Sequence, residues 1–246
     1  MRLLHHAFAT SYPAFNLLRK LKYFTGYDRS IYLRVLLYHD IAPQEHVYFE
    51  RQLGWLSRHW TFISPEKFAA VISGKEKIQN KSLLLTFDDG FSSNLEVAKK
   101  ILNPMGIQAL FFVVSDLVAI EDREEARQFI VRHVQPGLSM EKLPPYLNSM
   151  KWSDLELLLE QGHTIGAHTR SHARLSEISS TDGLEDEIVS SADSLGNHLG
   201  VNIEHFAYTF GDLASFSSQS LSVAQKRFRY VYSSLRGNNT IGTSSF

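Results

Sequence analysis

Two carboxylates on adjacent residues, Asp88 and Asp89, end the apolar run Leu83 to Phe87 and are followed at once by Gly90. Like charges this close are unfavourable unless a cation, a shared proton or a donor compensates them, so a metal ion is the first chemistry to look for. The chain offers further ligands in His168 and His172, spaced His-x-x-x-His. Two imidazoles, one carboxylate and an open position for water form the ligand set of a catalytic zinc centre, and imidazole also accepts cobalt or nickel. With 11 histidines in the chain, that spacing alone is weak. Its position, directly after the strand-like Thr164 to Ala167, strengthens it. His39 follows another apolar run, Ile31 to Leu37, where a lone histidine serves equally well as a hydrogen-bonded surface residue.

The elements that must position these residues alternate between two periods. Strands are expected at Ile31 to Leu37, Leu83 to Phe87, Ile107 to Val114, Thr164 to Ala167, Ile203 to Tyr208 and Arg229 to Ser233, as β-branched, aliphatic or aromatic runs. Between them lie helical patterns. His46 to Trp60 repeats apolar residues at three- and four-residue spacing, and Ser64-Pro65-Glu66 opens a helix that Gly74 closes. Helices are also expected at Ser92 to Leu102, Asp154 to Gln161 with Ser153 as cap, Thr181 to Leu199 stopped by Gly200, and Ser217 to Arg227. Strand–helix alternation implies parallel strands with right-handed crossovers. The expected fold is therefore α/β, a closed or nearly closed parallel barrel of about seven strands. In such a barrel the carboxyl ends of all strands meet on one face, which would bring His39, Asp88, Asp89, His168, His172 and the segment Tyr208 to Gly211 together.

The 246 residues, 43% of them hydrophobic, suffice for one sizeable core, expected over residues 31–236. An N-terminal helical extension is expected over residues 1–30, and a Gly-, Asn- and Ser-rich flexible tail over 237–246. Residues 115–150 interrupt the alternation with charges and the pairs Pro136-Gly137 and Pro144-Pro145, and read as a helical insertion that either shapes a substrate mouth or merely decorates the surface. A net charge of −1, from 25 basic and 26 acidic residues, provides no field for a nucleic-acid partner. Without cysteine there are no disulfides and no thiolate ligands. No export signal is recognisable, which favours a cytoplasmic or membrane-associated location and leaves secretion open. The basic, helically spaced stretch Ala14 to Tyr23 leaves peripheral membrane contact open beside the blander surface helix. Nothing in the sequence sets the oligomeric state.

Thr86-Phe87-Asp88-Asp89-Gly90 and His168-Thr169-Arg170-Ser171-His172 resemble, in order and interval, the first two motifs of the polysaccharide deacetylases, the NodB-homology carbohydrate esterases. Tyr38-His39, Ala109 to Val113, Lys151-Trp152-Ser153 and Phe206 to Gly211 extend the resemblance over about Val35 to Ser234. It implies a distorted (β/α) barrel and a metal-dependent hydrolase that removes acetyl groups from N-acetylated or O-acetylated sugars of a polysaccharide or its precursor. It also implies roles. Asp88 would be the general base, Asp89, His168 and His172 would bind a divalent metal, foremost zinc, and the segment around Tyr208 and Phe210 would serve the oxyanion and substrate. Many relatives take their general acid from a C-terminal histidine, and none follows His205 here, so the resemblance points to His39 instead. The third motif departs as well, since Ala207 and Thr209 stand where many relatives have arginine and proline. That departure keeps open an alternative, a non-catalytic carbohydrate-binding protein on a degenerate deacetylase fold.

Overall fold

The computed structural model describes residues 32–239. The expected extension over residues 1–30, with Ala14 to Tyr23, lies outside the described residues, as do residues 240–246 of the tail. Strands β1 (Leu33–Tyr38), β2 (Thr61–Phe62), β3 (Ser82–Phe87), β4 (Ala109–Val113), β5 (Thr164–Ala167), β6 (His205–Ala207) and β7 (Tyr230–Tyr232) form one seven-stranded sheet. Its order is β1-β3-β4-β5-β6-β7, with β2 also paired to β3, and every pairing is parallel. The expected distorted barrel is thus a curled half-barrel, because β1 and β7 are not paired to each other. The chain after β7 returns to β1, where Asn239 donates its N–H to the Leu33 carbonyl and Asn238 Oδ1 accepts from the Leu33 N–H, both at 2.8 Å. Residues 238 and 239, expected in a flexible tail, are therefore tied down by the unpaired groups of an edge strand.

Among the described residues eight α-helices cross over between or follow the strands: α1 (His46–Ser57), α2 (Pro65–Ile72), α3 (Ser92–Val97), α4 (Ser115–Ala119), α5 (Arg123–Phe129), α6 (Trp152–Glu160), α7 (Thr181–Leu199) and α8 (Ser218–Arg227). Local signals explain several of their ends. Ser64, Ser180 and Ser217 each accept a backbone N–H as N-caps, and Gly200 takes φ 67° to stop α7. At α6 the cap differs from expectation. Lys151, not Ser153, is the N-cap, because the Asp154 carboxylate reaches back to accept the Lys151 N–H at 2.9 Å.

The period of two along each strand sorts side chains onto two faces. On the inner face Leu33, Leu84, Leu110, Phe112 and Ala207 pack with Phe68 and Val71 of α2, which lies beneath the sheet. On the outer face Leu85, Phe87, Phe111, Val113, Ile165, Ala167 and Phe206 pack against helices α1, α3, α6, α7 and α8. Thr86 and Asp88 continue the parity of Leu84, and His168 continues that of Gly166, so both functional residues leave their strands toward the inner side. Gly166 is required there, since a Cβ on it would lie 2.7 Å from Cδ1 of the Phe112 ring. Burial of Leu, Ile and Phe side chains on both faces, each contributing roughly 1.5–3 kcal/mol, is what holds this rim in place.

The insertion at 115–150 has a core of its own. Leu117, Ala126, Ile130, Val134, Leu143 and Leu147 bury themselves against Phe91 and Val114. After α5 the helix continues as a π-helical turn over Ile130–Val134. No helix among the described residues is long and apolar enough to cross a membrane.

Candidate active site

Asp88 and Asp89 are both buried, and Asp89 takes φ 75° where the chain turns sharply off β3 into Gly90. Among the described residues only four non-glycine residues have positive φ, Asp89, Thr169, His172 and Phe210, and all four lie on the loops that leave β3, β5 and β6. Each such conformation costs on the order of 1–3 kcal/mol and persists only where surrounding contacts impose it. Strain concentrated on three strand exits along one edge of the sheet marks them as one site.

The imidazoles are oriented from behind. His168 Nδ1 lies 2.9 Å from the Ala207 carbonyl, and His172 Nδ1 lies 3.0 Å from the His133 carbonyl. A carbonyl can only accept, so both Nδ1 atoms carry hydrogen and both Nε2 atoms face forward. They face the same atom. Asp89 Oδ1 is 3.5 Å from His168 Nε2 and 3.4 Å from His172 Nε2, and it has no other partner among the described residues. In the neutral rings these are three acceptors aimed at one buried point, which is repulsive unless protons or a cation fill it.

The donor set fits a metal. The three ligand atoms lie within 4.8 Å of one another in buried surroundings. Bonds of about 2.0–2.2 Å to a tetrahedral ion give edges between ligand atoms of about 3.3–3.6 Å, which matches the two separations in the chain. Each imidazole also has the carbonyl partner on its far nitrogen that metal-binding histidines require.

The two aspartates differ electrostatically. Burial pushes Asp88 up to about 8; the positive potential of His39 opposes that rise and the charge of Asp89 adds to it. Burial alone would raise Asp89 too, yet His168 and His172, which donate to it and carry positive charge once protonated, outweigh it and hold the group well below the usual carboxylate range. Asp88 Oδ1 has no hydrogen-bond partner among the described residues, and His168 Nε2 stands 4.0 Å from Asp88 Oδ2. Adjacent carboxylates with opposite shifts are suited to different tasks: one binds as an anion, the other takes up a proton.

The remaining candidates separate. His39 is exposed at the exit of β1, near enough to Asp88 to act on its ionisation. The Phe210 ring packs 5.0 Å from that of His172 and carries the Arg174 guanidinium 4.2 Å from its centroid. The Phe210 N–H has no acceptor among the described residues. Tyr208 is not brought to the site. It shares the parity of Phe206, so its ring packs in the outer layer against Phe206 and Phe216 and its hydroxyl bonds Ser220.

Several contributors escaped the sequence reading. The carbonyl that orients His172 comes from the last turn of the π-helical segment of the insertion, where carbonyls lack intrahelical partners. Thr209, fully buried, donates its hydroxyl to the Ala173 carbonyl at 2.6 Å, tying the loop of Phe210 to the residue after His172. Tyr146 of the insertion and Ser93 of α3 both donate to Asp40, at 2.7 and 2.6 Å, and so close the insertion against the β1 exit.

A curled parallel sheet with a buried carboxylate and two imidazoles gathered at the carboxyl ends of its strands defines an α/β protein of the barrel class with a metal-type donor set. The polysaccharide deacetylase family profile matches residues 75–230, and the chain belongs to that family. Among curated proteins it is 24% identical over 190 residues to YxkH of Bacillus subtilis (strain 168), named as a candidate polysaccharide deacetylase; the match covers 70% of this chain and 64% of YxkH. The fold is similar to that of IcaB from Ammonifex degensii, with a TM-score of 0.69 at 20% identity over 88% of this chain and 89% of the other. It is also similar to that of the Streptococcus pyogenes deacetylase PplD, solved in complex with acetate, with a TM-score of 0.61 at 22% identity over 80% of both chains.

Proposed function

We propose that this protein is a metal-dependent hydrolase that removes acetyl groups from N-acetylated or O-acetylated sugars of a polysaccharide or its precursor. The observation that carries the reading is the convergence of Asp89 Oδ1 with His168 Nε2 and His172 Nε2, at 3.5 and 3.4 Å, beside a second buried carboxylate left free. Asp89, His168 and His172 would hold a divalent ion, foremost zinc, with cobalt or nickel as substitutes. Bound there, such an ion supplies Lewis-acid polarisation of a carbonyl and acidification of a water molecule.

The chain's own groups do the rest. Asp88 Oδ1, unpartnered and with its proton affinity raised by burial, takes a proton from the attacking water. The Phe210 N–H, held by a left-handed backbone and by the anchored loop of Thr209, donates to the developing oxyanion. His39, in contact with solvent, delivers a proton to the departing nitrogen or oxygen. The exposed Phe210 ring at the mouth offers an apolar face to a sugar.

Acetate release from chitooligosaccharides and poly-N-acetylglucosamine fragments, measured with zinc, with cobalt and with chelator, tests the reading. Zinc- or cobalt-dependent acetate release is the expected result. A metal-loaded protein that binds these glycans yet frees no acetate would instead make it a carbohydrate-binding member of the family.

A further inference from the structure

Glu187 stands in the middle of α7 and is buried, although it belongs to a residue type that is almost never fully buried without partners. Its partners are the two residues midway between the paired histidines. Oε2 accepts the backbone N–H of Arg170 at 3.1 Å and of Ser171 at 2.9 Å, and Oε1 accepts the Ser171 hydroxyl at 2.6 Å. One turn further along the same face of α7, Ser191 donates to the Thr169 carbonyl at 2.9 Å. From the other side Asp116 N–H binds the Arg170 carbonyl at 3.0 Å, and His168 N–H binds the Val113 carbonyl at 3.0 Å.

This accounts for most of the polar backbone of a loop whose two left-handed residues, Thr169 and His172, have φ of 61° and 64°. Residues in that region relax to ordinary conformations unless contacts over-determine them. The two N–H groups that Glu187 binds are successive, the arrangement of a small anion-binding nest, and its carboxylate occupies that nest permanently. The loop's turn sets the separation and direction of the two ring nitrogens, and those set the fit to a tetrahedral ion. We infer that Glu187 is a positioning residue for the metal centre, holding the backbone between His168 and His172 so that both Nε2 atoms meet Asp89 Oδ1.

The inference rests on the metal-binding reading of the site. It separates geometry from charge, because glutamine at 187 can keep both backbone bonds through its oxygen and donate to Ser171 Oγ through its nitrogen. Zinc affinity is read by competition with a chromogenic chelator, alongside thermal unfolding of the metal-free proteins. Glu187→Ala should bind zinc about 10–100-fold more weakly than wild type, and Glu187→Gln should stay within about 3-fold of wild type. Ser191→Ala, which leaves the Thr169 carbonyl the Ser115 N–H at 3.4 Å, should weaken zinc binding by about 3–10-fold while the metal-free protein stays folded. Wild type that takes up no zinc would refute the reading of the site itself. Wild type that binds zinc while Glu187→Ala, or failing that Ser191→Ala, binds it equally tightly would overturn the role of Glu187 alone, as would a lower Tm with unaltered affinity.

Discussion

Thr209→Val isolates one hydroxyl at the centre of the site. Valine keeps the shape of the fully buried side chain and removes the donor, leaving the carbonyl of the half-buried Ala173 without its 2.6 Å partner. A buried acceptor stripped of its partner costs about 1–3 kcal/mol. Taking about 2 kcal/mol, a domain of this size should lose about 4–8 °C in Tm. The same bond joins the loop carrying the Phe210 N–H to the residue after His172, so its loss should misplace an oxyanion donor while sparing the three ligand atoms. Thermal unfolding, zinc competition and initial rates of acetate release measured on the same preparations should therefore diverge. Tm falls, kcat drops by about 10-fold or more, zinc affinity changes less than about 2-fold, and Thr209→Ser restores all of them. A variant that matches wild type in both Tm and kcat would refute the claim that this hydroxyl anchors the loop of Phe210.

Asp88→Asn should lower kcat by about 10²–10⁴-fold at unchanged zinc content, whereas His172→Ala should lose zinc and activity together; equal metal loss in both would overturn the division between base and ligand. His39→Ala should slow sugar amides most and activated aryl acetates least, and a uniform fall across leaving groups would remove His39 as the acid. Burial depresses His163 to about 4, and the Ala109 N–H donates to its Nδ1 at 3.1 Å, so the folded state resists a proton that the unfolded chain takes up near pH 6.5. Its contribution to stability is complete above about pH 6.5 and declines as pH falls toward 4, by up to about 3 kcal/mol. Denaturant unfolding should show that slope in wild type and one proton less in His163→Gln; identical slopes would refute it.

What the sequence disclosed depended on whether a signal was local. Helix α7 was legible to the residue, Thr181–Leu199, because Ser180 caps it, Gly200 stops it and apolar side chains recur between them. Strand β5, Thr164–Ala167, was equally clear. Strand β2 has only Thr61 and Phe62, too few for any period, and exists because they pair with Ser82 and Leu83. The insertion is legible from its charges and prolines, but these mask its own core, the apolar residues that pack on Phe91.

The side chains at strand exits, Asp88, Asp89, His168 and His172, were legible because burial makes unpaired polar groups conspicuous beside apolar runs. Nearness to Phe210 in the sequence points Tyr208 to the site, whereas the parity of β6 turns its ring outward with Phe206. The His133 carbonyl had no signal at all, since any residue supplies one. Glu187 did have one. It is an acid on the apolar stripe of α7, three residues after Leu184 and four before Ser191, both buried.

Anomalous diffraction at the zinc edge, from crystals of the zinc-loaded protein, tests the central claim most directly. One strong peak within bonding distance of Asp89 Oδ1, His168 Nε2 and His172 Nε2, with Asp88 left unliganded, is the predicted result. Zinc bound elsewhere, or side chains of these three residues turned away from a common point, would contradict it.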